Sequence, residues 1–418
     1  MPRAAIILAL ALLPACATTP AVDKKPQQAT QPAAQSAQAV SSEAPGVDLE
    51  ALAAREFDAL PKVPVRFPDE LFSAEVEASG EPSVSTQANL RVIEVPVGTE
   101  TPMVCYLYPE GIDAGATLTN VAALVGKTGK LHELRPVDVV AVDENPAMFV
   151  EIDYLFDGGE GPLAGRLKAM VFPHPAHPLL CMHDEFGFSK AFQRVALGLA
   201  RSLSAKTDFV TARYGELQVL KVNGQPFGFT RMLIRDGADG SSAYEWVGAR
   251  LVPTKEGMDA VDEAKTAISD AQGRLVAVGY AASTNGELTL QAEASRKAAN
   301  EYTFQGVKEG QAFSGTFQTK DPAGLPSDLS VAALIRDELL GGKQPQLSVE
   351  EYLPSSNPAA PTGSVMRKGE EGPRSVLVEM EVGTVVGRVD ERGFLEVAEM
   401  RMPGVTVAYE RAFVRGEP

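Results

Sequence analysis

Asn223-Gly224 constrains this chain more than any other pair of residues. It separates two runs of mainly apolar residues, 217–222 and 227–234, and a two-residue hairpin turn needs positive φ at both positions, which Asn and Gly supply. A hairpin is therefore fixed locally. The same grammar predicts strands over 244–252, 275–280, 287–291, 302–305, 312–318, 347–352, 375–381, 393–400 and 405–409. Asp270-Ala271-Gln272-Gly273, Thr284-Asn285-Gly286 and Asp390-Glu391-Arg392-Gly393 supply turns between them. One helix interrupts, over 329–340, with Ser327 placed to cap it and Gly341-Gly342 to end it. Residues 213–418 thus read as an antiparallel β-rich domain crossed by one helix.

The block before it, 62–210, mixes the two periodicities. Strands are predicted over 90–96, 103–108, 137–142, 148–156 and 167–172, with a helix near Ala116 that Gly126 and Gly129 stop. The clearest amphipathic helix closes the block, over 189–203. Phe192, Val195, Ala196, Leu199 and Leu203 form its apolar stripe, with Arg194 and Arg201 off it. The fold class is α+β, and 418 residues exceed one comfortable core, in keeping with two domains.

The first 16 residues read as a signal peptide: Arg3, an apolar run over 4–13, then Leu13-Pro14-Ala15-Cys16. That run is too short to span a bilayer. Leu13-Pro14-Ala15-Cys16 resembles the bacterial lipobox, with Pro14 where a small or hydroxyl residue is more usual. The resemblance implies that Cys16 is acylated and becomes the mature N-terminus. Ala17 after it implies the outer membrane, facing the periplasm, with surface display also open. Attachment then rests on acyl chains, worth about 0.8 kcal/mol per buried methylene. Residues 17–46 are rich in Gln, Ala, Ser and Pro without an aromatic residue, so a disordered tether is expected there. Residues 47–61 form a short helix or linker, in which Asp48 caps a helix running to Leu60 and Pro61 ends it.

The order of elements in 62–210 resembles PsbP-like domains, whose apolar closing helix ends in a small polar residue, Ser202 here. Asn223-Gly224-x-x-x-Gly228 and Val389-Asp390-Glu391-Arg392-Gly393-Phe394-Leu395-Glu396-Val397, with the closing strand from Val405 to Arg411, resemble the half-barrel superfamily of periplasmic lipoprotein carriers. Together these resemblances imply a PsbP-like α/β sandwich followed by a half-barrel or barrel-like domain. They imply binding or assembly, with a concave face for acyl chains or a partner segment. A closed barrel filled by its own side chains satisfies the same pattern.

With Cys16 lipidated, Cys105 and Cys181 remain as a pair, and an oxidising periplasm favours a disulfide between them. Its loop is worth roughly 4–5 kcal/mol by chain entropy. The densest polar cluster runs from His174-Pro175-Ala176-His177 to Cys181-Met182-His183-Asp184-Glu185. His174, His177, His183 and Asp184 are ligand types that suit zinc or copper, which would make a metal-dependent envelope enzyme. The competing reading is a Pro-rich turn of solvated imidazoles, held extended by Pro173, Pro175 and Pro178, then carboxylates complementing the closing helix dipole. No Gly-x-Ser-x-Gly elbow is present, and Val121 stands where a phosphate loop ending at Lys127-Thr128 needs glycine. Trp246, the only tryptophan, is expected in the core of the second domain. A net charge of −17 argues against nucleic acid as a partner. The sequence leads to a non-catalytic, membrane-tethered binding or assembly module without a resident cofactor, with an envelope protein or an apolar ligand as partner. A lipid carrier built on the second domain is the further alternative.

Overall fold

The computed structural model describes residues 40–41, 49–157, 162–206, 212–237, 239–254, 257–380, 383–402 and 405–418. Residues 1–39, with Cys16, and 42–48, with Asp48, lie outside the described residues.

The first part opens with β1 (Val40–Ser41), α1 (Leu49–Ala53), β2 (Lys62–Val65), β3 (Phe72–Glu77), β4 (Ser83–Gln87), β5 (Leu90–Val95) and β6 (Met103–Leu107). Helix α2 (Ala114–Thr128) leads into β7 (Lys130–Val142), β8 (Asn145–Asp157), β9 (Pro162–Phe172) and β10 (Leu179–Asp184). Helix α3 (Ser189–Ser202) and the short β11 (Ser204–Ala205) close it. The main sheet runs β4-β5-β6-β10-β9-β8-β7, with β1 against β9, and β11-β3-β2 form a separate ribbon. Helix α1 stops at Ala53, well short of Leu60. The chain beyond it extends so that Arg55 reaches the Phe186 carbonyl and Phe57 meets the Phe188 ring.

One face of the main sheet packs on α3 and the ribbon through Ile93, Phe149, Met170, Val76 and Phe192. Within this core Cys105 and Cys181 are register partners on β6 and β10, and a disulfide joins them. The other face packs on α2 and on the second part, in one continuous core containing Leu118, Ile152, Val219, Phe229 and Leu251.

The second part is β12 (Tyr214–Val222), β13 (Gln225–Asp236), β14 (Ser242–Thr254), β15 (Gly257–Ser269), β16 (Leu275–Thr284), β17 (Glu287–Ala298), β18 (Glu301–Lys308) and β19 (Gln311–Gln318). Helix α4 (Asp328–Leu334), extended by a π-helical turn over Ile335–Leu340, follows. Then come β20 (Gln346–Glu351), β21 (Thr362–Lys368), β22 (Ser375–Met380), β23 (Gly383–Val389), β24 (Leu395–Met402) and β25 (Val405–Gly416). All fourteen strands form one antiparallel sheet, two meanders joined where β12 pairs with β25. Its edges are β19 and β20, which are consecutive in sequence and do not pair with each other. The turn at Asn223-Gly224 has positive φ at both residues, as its sequence requires.

Helix α4 starts as expected, with Ser327 Oγ accepting from the Ser330 N–H at 3.3 Å. Its apolar side packs Val331, Ile335 and Leu339 on Leu347, Met366 and Val376 of one meander. Ser330 Oγ donates to the Gly273 carbonyl at 2.8 Å in the other meander. Gly393 lies so close to the helix that a Cβ there would meet the Ala332 carbonyl at 2.1 Å. A helix touching the β15–β16 and β23–β24 turns together requires the sheet to wrap around it.

Two polar links accompany the core between the parts. At the β7–β8 turn, Arg415 makes a bidentate pair with Glu144 (2.8 and 2.5 Å), and Arg231 donates to Asn145 Oδ1 at 2.7 Å. At α2, the Asp262 carboxylate of β15 accepts from the N–H groups of Gly115 and Ala116, both at 2.8 Å. Gly115 permits the approach: a Cβ there would come within 2.8 Å of Asp262 Oδ2.

Candidate functional site

Register builds the densest buried polar row. Glu151 on β8 pairs with Lys168 on β9, and Lys168 pairs with His183 on β10. Directly paired residues share a face, so all three point toward α3, two residues along from the disulfide. Lys168 is 1% exposed, its ammonium donates to the Glu185 carbonyl, and burial pushes its pKa down to about 8. Burial pushes Glu151 up, but hydrogen bonds from Ser189 Oγ (2.6 Å) and Arg135 (2.5 Å), with Arg166 nearby, outweigh it and hold the carboxyl below its ordinary value. Burial, with Lys168 beside it, pushes His183 down to about 3, so its ring is neutral at pH 7. Its Nε2 lies 3.2 Å from Thr99 Oγ1 and 3.9 Å from Glu185 Oε2.

A lysine with a depressed pKa is what a nucleophile needs. Lys168 lacks the access. It is enclosed, its partners are satisfied within the fold, and the clefts described below are lined by other residues. The row instead fixes where α3 begins, through Ser189 and Glu185.

The residues expected to bind metal fall in three places. His174 and His177 stack in the β9–β10 loop, with centroids 3.6 Å apart, against Phe172. They are buried or partly buried rather than solvated, and burial lowers both, His174 to about 3 with His177 and Arg231 adding, His177 to about 4. His174 Nδ1 accepts from the Ala176 N–H, while His177 Nδ1 is buried without a hydrogen-bond partner. His183 and Asp184 are adjacent on β10, so the strand's period of two sends them to opposite faces. Asp184 accepts from Tyr154 Oη at 2.7 and 2.8 Å. No three His, Cys, Asp or Glu residues among the described ones are placed to hold a metal ion.

A cleft of about 750 Å³ opens between α4 and β20–β21, beside the chain that leaves β19. Its walls combine Leu325, Leu334 and Val349 with Arg274, Lys320 and Ser364. Ser364 is buried and its Oγ has no hydrogen-bond partner. A shallower cleft of about 470 Å³ lies over β17–β19. On the helix-bearing face, Arg250 pairs with Glu263 at 2.5 Å, Tyr280 donates to Glu263 at 2.7 Å, and Lys265 lies 3.4 Å from Asp328. Trp246, expected in the core, is only half-buried on this same face. Lys168, Glu151 and Asp262 carried no local signal in the sequence, because register and tertiary docking alone bring them to their partners.

No family model matches the chain, and no curated protein matches it. Among solved structures it is similar to a β-barrel-like protein of the domain of unknown function DUF1849 from Brucella abortus. That match has 9% identity and a TM-score of 0.35, over 49% of this chain and 97% of that one. It is also similar to a DUF1089 family protein from Pseudomonas aeruginosa, at 14% identity and a TM-score of 0.25, over 40% and 87%. At these scores neither likeness carries an argument about function. What stands is the class: a disulfide-bonded, mostly antiparallel β protein with helices on both sides of its first sheet.

Proposed function

We propose that this chain is a lipid-anchored, non-catalytic binding or assembly module of the bacterial envelope, held to the outer membrane through Cys16 and facing the periplasm. The observation that carries the reading is the buried Cys105–Cys181 disulfide. Structural disulfides persist in oxidising compartments, which agrees with an exported chain. The Glu151-Lys168-His183 row of the first part is enclosed and held by contacts within the fold, which suits a scaffold better than a turnover site. A ligand-sized cleft lies instead beside the open seam of the second sheet.

A PsbP-like first part is supported by the order of strands, α2, strands and α3, and by Ser202. That residue ends α3, donates to the Glu75 carbonyl at 2.5 Å and accepts from the Glu75 N–H at 3.1 Å. A half-barrel second part is supported by the unpaired edges and by α4 within the curve of the sheet. A second reading, a carrier of an apolar ligand, is favoured by Trp246, Met400 and Tyr409, which stay half-buried on the helix-bearing face. Native mass spectrometry of the purified protein tests it through co-isolated lipid.

The anchor is tested by replacing Cys16 with serine in cells fed labelled palmitate. Wild type is expected to take up label and sediment with membranes, and the variant to do neither. An unlabelled wild type, or a variant that stays with the membranes, contradicts the proposal.

A further inference from the structure

The strand orders of the two large sheets end in four strands, and three of them are defended. Strand β7 carries Lys130, Glu133, Arg135 and Asp138 and packs beside the second part. Strand β20 ends in Glu350-Glu351, and β4 is only five residues long. Strand β19 is different. Its eight residues, Gln311-Ala312-Phe313-Ser314-Gly315-Thr316-Phe317-Gln318, include no charge and no proline, and six of them are exposed. Unpaired edges are normally blunted by charge, proline or cover, because they are templates for another strand.

The geometry of that edge is fixed by the hairpin behind it. The two-residue turn Glu309-Gly310, with positive φ at both residues, makes Lys308 and Gln311 a hydrogen-bonded pair. Bonding then alternates, so Phe313, Gly315 and Phe317 bond inward to β18. The N–H and C=O groups of Ala312, Ser314, Thr316 and Gln318 point outward.

We infer that β19 pairs antiparallel with β19 of a second copy about a two-fold axis at Gly315, joining the two fourteen-stranded sheets edge to edge. In this register Ser314 faces the copy's Thr316, and Ala312 faces its Gln318, through the outward backbone groups. Phe313 faces the copy's Phe317 on the helix-bearing face. Hydroxyl and aromatic cross-strand pairs of this kind favour pairing, and no like charges meet along the strand. Each copy carries a net charge of −17, so an edge that is neutral along its whole length is where two copies can approach.

The test is the mass in solution of the full chain carrying Cys16→Ser, which removes the acyl group and leaves β19 untouched. Light scattering is expected to give twice the chain mass of 44.3 kDa, falling to monomer on dilution. Thr316→Pro removes an outward N–H without breaking the β18 ladder, and is expected to give monomer with the melting temperature of the diluted, monomeric wild type. Ser314→Lys, which sets two added cations near the two-fold axis and alters no backbone group, is expected to do the same. This second variant decides the matter if the proline chain fails to fold. A wild type that is monomeric at every concentration overturns the inference, as does a dimer that survives Ser314→Lys. A monomer that binds a synthetic copy of residues 311–318 also overturns it, by marking the edge as a site for foreign strands.

Discussion

Helices α2 and α3 both begin without a local side-chain cap, and each borrows a carboxylate from far along the chain. For α3 the donor of that carboxylate is Glu56, exposed and in the same part of the molecule, accepting from the Lys190 and Ala191 N–H groups at 3.0 and 2.8 Å. For α2 it is Asp262, buried and on the opposite sheet, accepting from Gly115 and Ala116. The hydrogen-bond pattern is the same and the consequences differ. Glu56 threads the 54–61 segment over its own domain. Asp262 ties two sheets together and is desolvated in doing so, which pushes its pKa up to about 6 with Asp113 adding. A cap reached across an interface couples the parts it spans.

That contrast orders the expected effects. The largest follows from replacing Cys105 and Cys181 with alanine, which removes the cross-link in the first core and is expected to cost roughly 2–5 kcal/mol. If the parts are coupled, the unfolding midpoint seen by Trp246 fluorescence falls with it, although Trp246 belongs to the second part. A midpoint that stays put breaks the coupling.

Acid comes next. His177 and His183 are buried with lowered pKa values of about 4 and 3, and half-buried His174 is lowered to about 3. Their stabilisation is fully present above the unfolded value near 6.5 and is lost as pH falls below it, because the unfolded chain takes up protons that the folded one refuses. Each buried imidazole costs about 1.4 kcal/mol per pH unit across that window. Asp262, raised by burial to about 6, acts in the opposite sense between about pH 4 and 6, and burial raises Asp184 in the same direction. Histidines outnumber them, so denaturant midpoints are expected to fall steadily from pH 6.5 to 4.5; a flat profile refutes the buried histidine placement.

Asp262→Ala is expected to cost about 1–2 kcal/mol at pH 7 by orphaning two helix N–H groups. It should also remove Asp262's own part of the pH 4–6 dependence that opposes the histidines. Glu56→Ala, at an exposed site, is expected to cost about 0.5–1 kcal/mol with no such change in the profile. Equal losses and equal pH profiles from the two variants would erase the distinction between an interface cap and a local one.

How much was legible in the sequence follows from the range of the forces. The Asn223-Gly224 hairpin, the Ser327 cap and the α3 stripe are set within a few residues, and each appears where the sequence places it. Strand β15 gives no strand signal of its own: Met258-Asp259-Ala260-Val261-Asp262-Glu263-Ala264-Lys265 is rich in helix formers, and only its place between β14 and β16 makes it a strand. Strand β10 reads in sequence as a polar cluster, because its alternation is masked by His183 and Asp184, which serve opposite faces. The disulfide was legible by cysteine arithmetic, whereas the Glu151-Lys168-His183 row depends on a register that no local pattern encodes.

The shared core, the Glu144–Arg415 pair and the Asp262 cap make the two sheets one cooperative unit. The direct measurement is thermal unfolding followed by calorimetry and by Trp246 fluorescence on the same sample. One calorimetric transition, with the fluorescence midpoint coincident, is the predicted result. Two resolved transitions, with Trp246 reporting only one of them, would contradict it.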